Sequence, residues 1–530
     1  MRGLFSGTGS LVRLGLRLDR VRLPVWVVVL TILPAGTAAN YKSLYPTERS
    51  LQEVSGVLTN PSLVALNGPL FKVSLGALTA WKIGVTELIL IALVAVFTVV
   101  RHSRAEEEAG RLELLGATVV GRYAALTAAL VLAGGTAVVS GLLITLGMIG
   151  TGLPAAGAVA MGLEMAVTGL AFAAVAGVAA QLTESARAAS GIAIAVLGGA
   201  YLLRAVGDTG PTWVSWLSPV GWAMRVRPYA TERWWVLLLP LALVCGCTAA
   251  AYRLVGHRDL GAGMVAQRPG PASAAPSLAG PLGLAWRLQR GLLLAWVVGL
   301  ALGGAVMGGA AHGLATSGTF TDNQQLMDML ARLGGPKGIV EAYLAAIFGI
   351  IGITATAYTV QATLRMRAEE TSGRLEPLLT TRTGRLRWAA GHLLFALLGT
   401  ALLLAVAGVS AGLAYGAQAH DIGGQVPRML GDALVQLPAT WVLAGLGVAL
   451  FGLLPRLVAV TWAGLIACFL LLEVGALLGL SQWLVDASPF AHVPKLPGSA
   501  FTVTPLLWLL AVAAALFAGG LAGFRRRDIG

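Results

Sequence analysis

Charge is what this sequence has least of. Only 12% of its 530 residues are charged, about half the 25% typical of soluble domains. Meanwhile 57% are hydrophobic, and the mean hydropathy is +0.79. That deficit excludes an ordinary soluble enzyme, a disordered chain and a conventional DNA-binding protein. Most of the surface must be solvated by lipid. Cysteine is scarce too. Cys245, Cys247 and Cys468 lie inside apolar runs, are odd in number and lack framework spacing, so structural disulfides are not expected. Without His or acidic neighbours, Cys245-Gly-Cys247 reads as helix packing rather than a metal site. Lysine is the rarer cation, at five of 37 basic residues. A phosphate-cradling loop needs Gly-x-x-x-x-Gly-Lys-Ser/Thr. Only Lys42 precedes a Ser, and Tyr41 stands where the Gly belongs. No bound cofactor is expected on this chain, and Ser, His and Asp show no nucleophilic arrangement.

What is abundant is apolar length. Taking about 20 apolar residues per crossing, twelve spans are expected, near 23–40, 78–100, 123–149, 154–180, 187–206, 234–254, 291–311, 339–363, 388–415, 429–454, 457–478 and 504–524. The fold class is therefore an all-α polytopic membrane protein. The halves repeat. Arg17, Leu18, Arg20, Leu23 and Trp26 match Arg287, Leu288, Arg290, Leu293 and Trp296 at an offset of 270, and Arg258-Asp259-Leu260-Gly261 recurs as Arg527-Asp528-Ile529-Gly530. Six spans per copy is even, so both copies enter from the same side, as a parallel duplication. The expected organisation is a first half over 1–263, a Pro/Ala/Ser-rich cytosolic linker over 264–283, and a second half over 284–530. The N-terminus imitates a signal peptide, but the same segment recurs in mid-chain, so cleavage is not expected.

The net charge of +13 would suggest nucleic acid in a soluble protein. With both termini in the cytosol, the cytosolic segments hold 25 of the 37 Lys and Arg but 11 of the 24 Asp and Glu. The whole positive excess then lies on one side, as the positive-inside rule requires, and no nucleic-acid partner is needed. Arg13, Arg17 and Arg20 share a helix face beside Leu14 and Leu18. This predicts an interfacial helix over about 10–22, lying in the headgroups of the membrane lipid.

The densest repeat is in the loops after the second span of each half. Arg104, Glu106, Glu107, Gly110, Arg111, Leu112, Glu113 and Leu115 are matched at an offset of 263 by Arg367, Glu369, Glu370, Gly373, Arg374, Leu375, Glu376 and Leu378, and 12 of 19 positions over 104–122 are identical. Lipid-facing spans need only be apolar, whereas a loop retained in both copies touches something specific. Glu107–Arg111 and Glu370–Arg374 are expected i,i+4 pairs, the glycines permit a bend, and each leucine pair forms an apolar knob. Such a loop, 101–122 or 364–387, is a docking surface for a soluble partner.

These loops, with Trp216-Leu-Ser218-Pro219-Val-Gly221-Trp222 and Arg258-Asp259-Leu260-Gly261-Ala-Gly263 followed by Arg268-Pro269-Gly270-Pro271, resemble the type-2 ABC-exporter permeases, specifically the fused double-length actinobacterial exporters of polyketide antibiotics. The resemblance covers the whole chain. It implies a cell-membrane permease for hydrophobic or amphipathic small molecules, driven by two copies of a separate ATPase that binds ATP and Mg. It places coupling helices at 104–115 and 367–378. The second copy departs at Pro377, where the first has Leu114, and Ser488-Pro489-Phe490 lacks the following Gly-Trp.

Two other classes remain open. A proton-coupled twelve-helix carrier would use intramembrane acids, and Glu87, Glu164 and Glu473, with Glu341 near a span end, are candidates for that role or for the substrate path. A lipid or glycolipid exporter of the ABC type would suit the same aliphatic walls. Trp213, Trp216 and Trp222 lie in a Trp-rich stretch between the fifth and sixth spans, either an interfacial belt or a re-entrant lid over the path.

Overall fold

The computed structural model describes residues 3–55, 61–112, 120–259, 261–265, 272–273, 275–278, 280–316, 339–473 and 482–528. Among them no strand occurs, and eleven helices are long and apolar enough to cross a membrane. A helix meets the membrane's demand by satisfying its backbone groups within itself. The chain divides into two compact units, Met1–Gly270 and Pro271–Gly530, each described by itself.

The first unit holds a short helix, α1 (Thr8–Leu18), and six spans: α2 (Arg22–Leu44), α3 (Leu75–His102), α4 (Ala124–Gly150), α5 (Ala155–Leu182), α6 (Ala186–Thr209) and α7 (Leu238–His257). Side-chain oxygens cap α3 and α6, where Ser74 accepts from Ala77 N–H and Ser185 from Ala188 N–H. Burial separates the centre from the rim. In α5, 78% of the most apolar stretch is buried inside the protein, against 17% in the stretch ending in α7. The centre can be dense because α5 is built from small residues. Gly141 of α4 and Gly162 of α5 meet backbone to backbone, and a Cβ on either would collide with the other's carbonyl. The helix expected over 10–22 is found as α1. The chain breaks after it at Asp19, which is buried and bonded to Arg101 (3.1 Å) and His102 (2.6 Å) at the end of α3.

Successive spans alternate in direction. The loop after α3 meets the ends of α5 and α7 at what is called here the motif end. At the far end, Lys42 in the last turn of α2 donates to the Thr151 carbonyl after α4 (3.3 Å).

The second unit comprises α8 (Pro281–Thr316), α9 (Ile339–Thr371), α10 (Arg385–Ala419), the pair α11 (Ile422–Leu434) and α12 (Leu437–Leu453), α13 (Val460–Glu473) and α14 (Thr504–Arg526). Of the expected span 457–478, Val460–Glu473 is helical, and 474–481 lie outside the described residues. The fourth span is two helices. It breaks at Val435-Gln436, just before Pro438, whose ring suits a first helical turn and not an interior. The first span runs unbroken from Pro281, because Gln289 stands at the position of Asp19 and bonds to His392 instead (3.2 Å).

Candidate functional site

In the first unit, Glu107 lies at the centre of the motif end. Its carboxylate accepts from both terminal nitrogens of Arg258 (2.6 and 2.8 Å), from Arg104 (2.7 Å) and from the Gly261 backbone N–H (2.7 Å). Arg104 is 1% exposed and Glu107 8%, so these charges exist there only because they neutralise one another. Arg258 also donates through Nε to Gln181 at the end of α5 (2.7 Å). At the other end of the same loop, Arg122 donates to the carbonyls of Val255 (3.0 Å) and Arg258 (2.9 Å). Those are the unsatisfied acceptors that a helix C-terminus presents. The loop between the second and third spans therefore grips the end of the sixth at both its ends.

The second unit repeats the ion pair and the carbonyl clasp of this arrangement. Glu370 accepts from Arg367 (2.9 Å) and from Arg527 (2.7 Å), and Arg385 donates to the carbonyl of Arg527 (2.7 Å). Arg527 also stacks over Phe451 of α12 (4.8 Å), which stands 270 residues after Gln181. The chemistry changes from hydrogen bond to cation–π contact, while the geometry is kept.

This corrects the pairing expected from the sequence. Glu107 and Glu370 do not pair i,i+4 with Arg111 and Arg374. Drawn inward by Arg258 and Arg527, they pair i,i+3 with Arg104 and Arg367. Gly110 (φ +71°) and Gly373 (φ +69°) then bend the chain in the left-handed conformation glycine tolerates. The bend returns Arg111 to Glu106 (2.6 Å) and Arg374 towards Glu369 (3.8 Å). Leu375 is not an exposed knob. It is buried beside Met366, Trp388 and Leu393, while Leu378 and Leu112 are half-buried. Of the sixteen residues assigned to docking, Arg111, Gly373, Arg374 and Glu376 are exposed, and Glu106, Gly110, Arg367 and Glu370 are partly so. Glu113 and Leu115 lie outside the described residues. The gripping arginines Arg258, Arg527, Arg122 and Arg385 were not singled out as site residues. The signal for them was present in the repeated Arg-Asp-Leu/Ile-Gly at the end of each half.

At the far end of the first unit, the Trp-rich stretch folds as two short helices, Thr212–Ser215 and Pro219–Met224. Trp213 is exposed. Trp216 stacks on Trp235 (5.7 Å), and the Trp222 indole N–H donates to the Trp216 carbonyl. A network that sequence reasoning missed anchors this hairpin. Asp208 is paired with Arg204 (3.5 Å) and Arg225 (3.3 Å) and accepts from Ser215 (3.0 Å), while Arg204 donates to the Ala65 carbonyl (2.7 Å). Arg227, Tyr229 and Thr231 follow with φ near +60°, conformations costly to residues with a Cβ. Burial, with Glu164 and Glu232 nearby, pushes the Tyr229 phenol far above its ordinary range. Burial and the neighbouring Arg233 and Arg225 pull Arg227 down.

The candidate path residues are not brought into one place. Glu164 is buried and lines a 40 Å³ cavity with Trp81, Phe71, Met224 and Arg227. Glu87 is fully buried, neither of its carboxylate oxygens has a partner among the described residues, and it is not among the residues lining that cavity. The Glu473 side chain lies outside the described residues, and Glu341 pairs loosely with Arg428 (3.8 Å). In the second unit, α8 and α9 border a 470 Å³ apolar groove lined by Trp296, Gly299, Gly303, Met307, Ile347 and Thr354, among others.

Over its full length the chain is similar to the multidrug efflux system permease protein Rv1217c of Mycobacterium tuberculosis. The two are 48% identical over 529 residues, covering 99% of this chain and 96% of that protein. The chain belongs to the Rv1217c permease family. The family described as "Multidrug efflux system permease Rv1217c, C-terminal domain" matches residues 278–525. The matched region takes in the second copy of the repeated loop, Glu370 and α8 to α14 up to residue 525, and ends before Arg527.

Proposed function

We propose that this chain is the membrane permease of a multidrug efflux system of the ABC type, powered by a separate ATPase. Its kinship with Rv1217c supports the efflux reading. The repeated motif end supports the division of labour. Each unit presents the start of its loop from behind an ion pair, with Arg111 exposed in one copy and Arg374 with Glu376 in the other. That repetition is the observation that carries the proposal, because two matching loops are what two copies of a soluble motor would hold.

In this reading the motif end faces the cytosol, where the arginine excess lies, and both termini are cytosolic. ATP and Mg bind the ATPase and not this chain. ATP binding moves the ATPase copies, the loops follow, and the spans change between two arrangements, the motor supplying the difference in free energy. The cargo is hydrophobic or amphipathic. The groove on α8 and α9 offers it aliphatic walls with an indole donor, Trp296, which donates to Gln361 (3.2 Å). The antibiotic-exporter group named above is the finer placement this reading adopts.

Arg111→Glu combined with Arg374→Glu tests it. Both side chains are exposed and their ion pairs contribute little to stability, so the protein remains folded in the membrane. Co-purification with the ATPase is expected to be lost. Undiminished co-purification counts against docking at these loops. The second reading, a proton-coupled carrier, draws on the carboxylate of Glu87 within α3, which has no partner among the described residues. Transport by the chain alone under an ion gradient would favour it.

A further inference from the structure

The last span of each unit is poorly attached to the span that precedes the docking loop. In the first unit α7 packs chiefly on α5, and in the second α14 packs chiefly on α12. Most of each last span faces outward, with 17% of its most apolar stretch buried in both cases. A movement of the loop after the second span would otherwise reach the last span chiefly through the fourth.

One arginine in each unit provides a shorter route. Arg258 lies just past the end of α7 and Arg527 just past the end of α14. Arg258 holds Glu107 of the loop in a two-pronged pair and Gln181 of the fourth span. Arg527 holds Glu370 of the loop and covers Phe451 of the fourth span. Arg122 and Arg385, at the start of the third span, clasp the backbone carbonyls of these same two arginines at 2.9 and 2.7 Å. The third, fourth and last spans and the loop thus meet at one arginine, through its guanidinium and its backbone carbonyl, twice in one chain. A buried ion pair of this kind adds little net stability over an apolar substitute, so stability does not account for its recurrence. A planar guanidinium that takes a carboxylate in a two-pronged grip and a second partner at another edge is well suited to join moving parts in fixed orientation.

We propose that Arg258 and Arg527 are transmission residues, each delivering movement of its docking loop directly to the last span of its unit. They act through Glu107 and Glu370 and touch neither cargo nor nucleotide, so they are positioning residues. The inference rests on the loops being the ATPase docking sites.

The test uses the full chain with its ATPase, rebuilt in vesicles, with cargo transport and ATP hydrolysis measured together. Arg258→Gln with Arg527→Gln should still co-purify with the ATPase and permit hydrolysis. Cargo moved per ATP should fall by about tenfold or more, within the range of known coupling energies. Unchanged cargo per ATP overturns the proposal. Loss of co-purification with the ATPase also overturns it, since the arginines would then only shape the docking surface. A second variant guards against a merely structural role. Glu370→Cys with Arg527→Cys, in a chain whose Cys245, Cys247 and Cys468 are replaced by Ala, should be uncoupled until a short bis-methanethiosulfonate reagent joins the two cysteines through two mixed disulfides, releasing methanesulfinate at each. The reagent should then restore transport per ATP. Failure of the bridge to restore it overturns the transmission role. Failure of the wild-type chain to hold any ATPase is a different result, and overturns the docking reading itself.

Discussion

At the far end of the first unit, one carboxylate balances two guanidiniums. Arg204 has no exposed surface and Arg225 little, and both face Asp208. Replacing Asp208 by Ala leaves two buried cations without a counter-charge, a change that costs about 3–5 kcal/mol where such pairs have been broken. Asp208→Ala is therefore expected to lower the unfolding temperature of the detergent-solubilised protein sharply, whereas Asp208→Glu, which keeps the charge, should lower it far less. Equal thermal stability in all three proteins would show that the network does not hold the hairpin. The sequence displayed Arg204 and Asp208 only as two charges near the end of an apolar run, because a partner at position 225 or a carbonyl at position 65 is not a local property. The same limit governed Glu107. Its i,i+4 neighbour Arg111 was visible in the sequence, but Arg258, 151 residues away and the stronger partner, was not.

At the scale of elements, periodicity and length served well because lipid asks so little of a span. Eleven of the twelve expected crossings are helices long enough to cross, since a run of ~20 apolar residues can satisfy its backbone in lipid only in that form. The breaks were harder to read. The kink between α11 and α12 depends on Pro438, and the gap between α1 and α2 on Asp19 reaching His102. Which glycines matter was also hidden. On α4, Gly135 faces open space while Gly141 meets the backbone of Gly162, although composition treats them alike. Gly141→Leu should force α4 and α5 apart at a cost of about 1–3 kcal/mol. Gly135→Leu, on the same helix, should leave stability nearly unchanged. Matched thermal denaturation of the two variants checks this, and equal destabilisation would refute the close-contact reading.

At the scale of the whole molecule, one chain carries two copies of the same device with different fittings. The first copy surrounds its glutamate with Arg104, Arg258 and the Gly261 N–H; the second has Arg367 and Arg527, and Gly530, which stands where the repeat has Gly261, lies outside the described residues. Arg367 is more exposed than Arg104 (31% against 1% for the side chains). The second loop is thus the more open to a partner at this position. If each loop receives one copy of an ATPase that pairs with itself, each permease–ATPase contact is reinforced by the other, and losing one loop removes that reinforcement as well as a contact. Linked sites of this kind gain about 10²–10⁴ in apparent affinity. Arg111→Glu alone and Arg374→Glu alone should therefore each weaken ATPase binding by roughly a hundredfold, with the larger loss at Arg374, whose loop is the more accessible. Titrating purified ATPase against each single variant in nanodiscs, and weighing the complexes by native mass, separates the cases. Two ATPase copies on the wild-type chain and weakened binding for both variants support paired docking. A variant that binds as tightly as wild type would mean that its loop carries no motor, and that the duplication serves the spans alone.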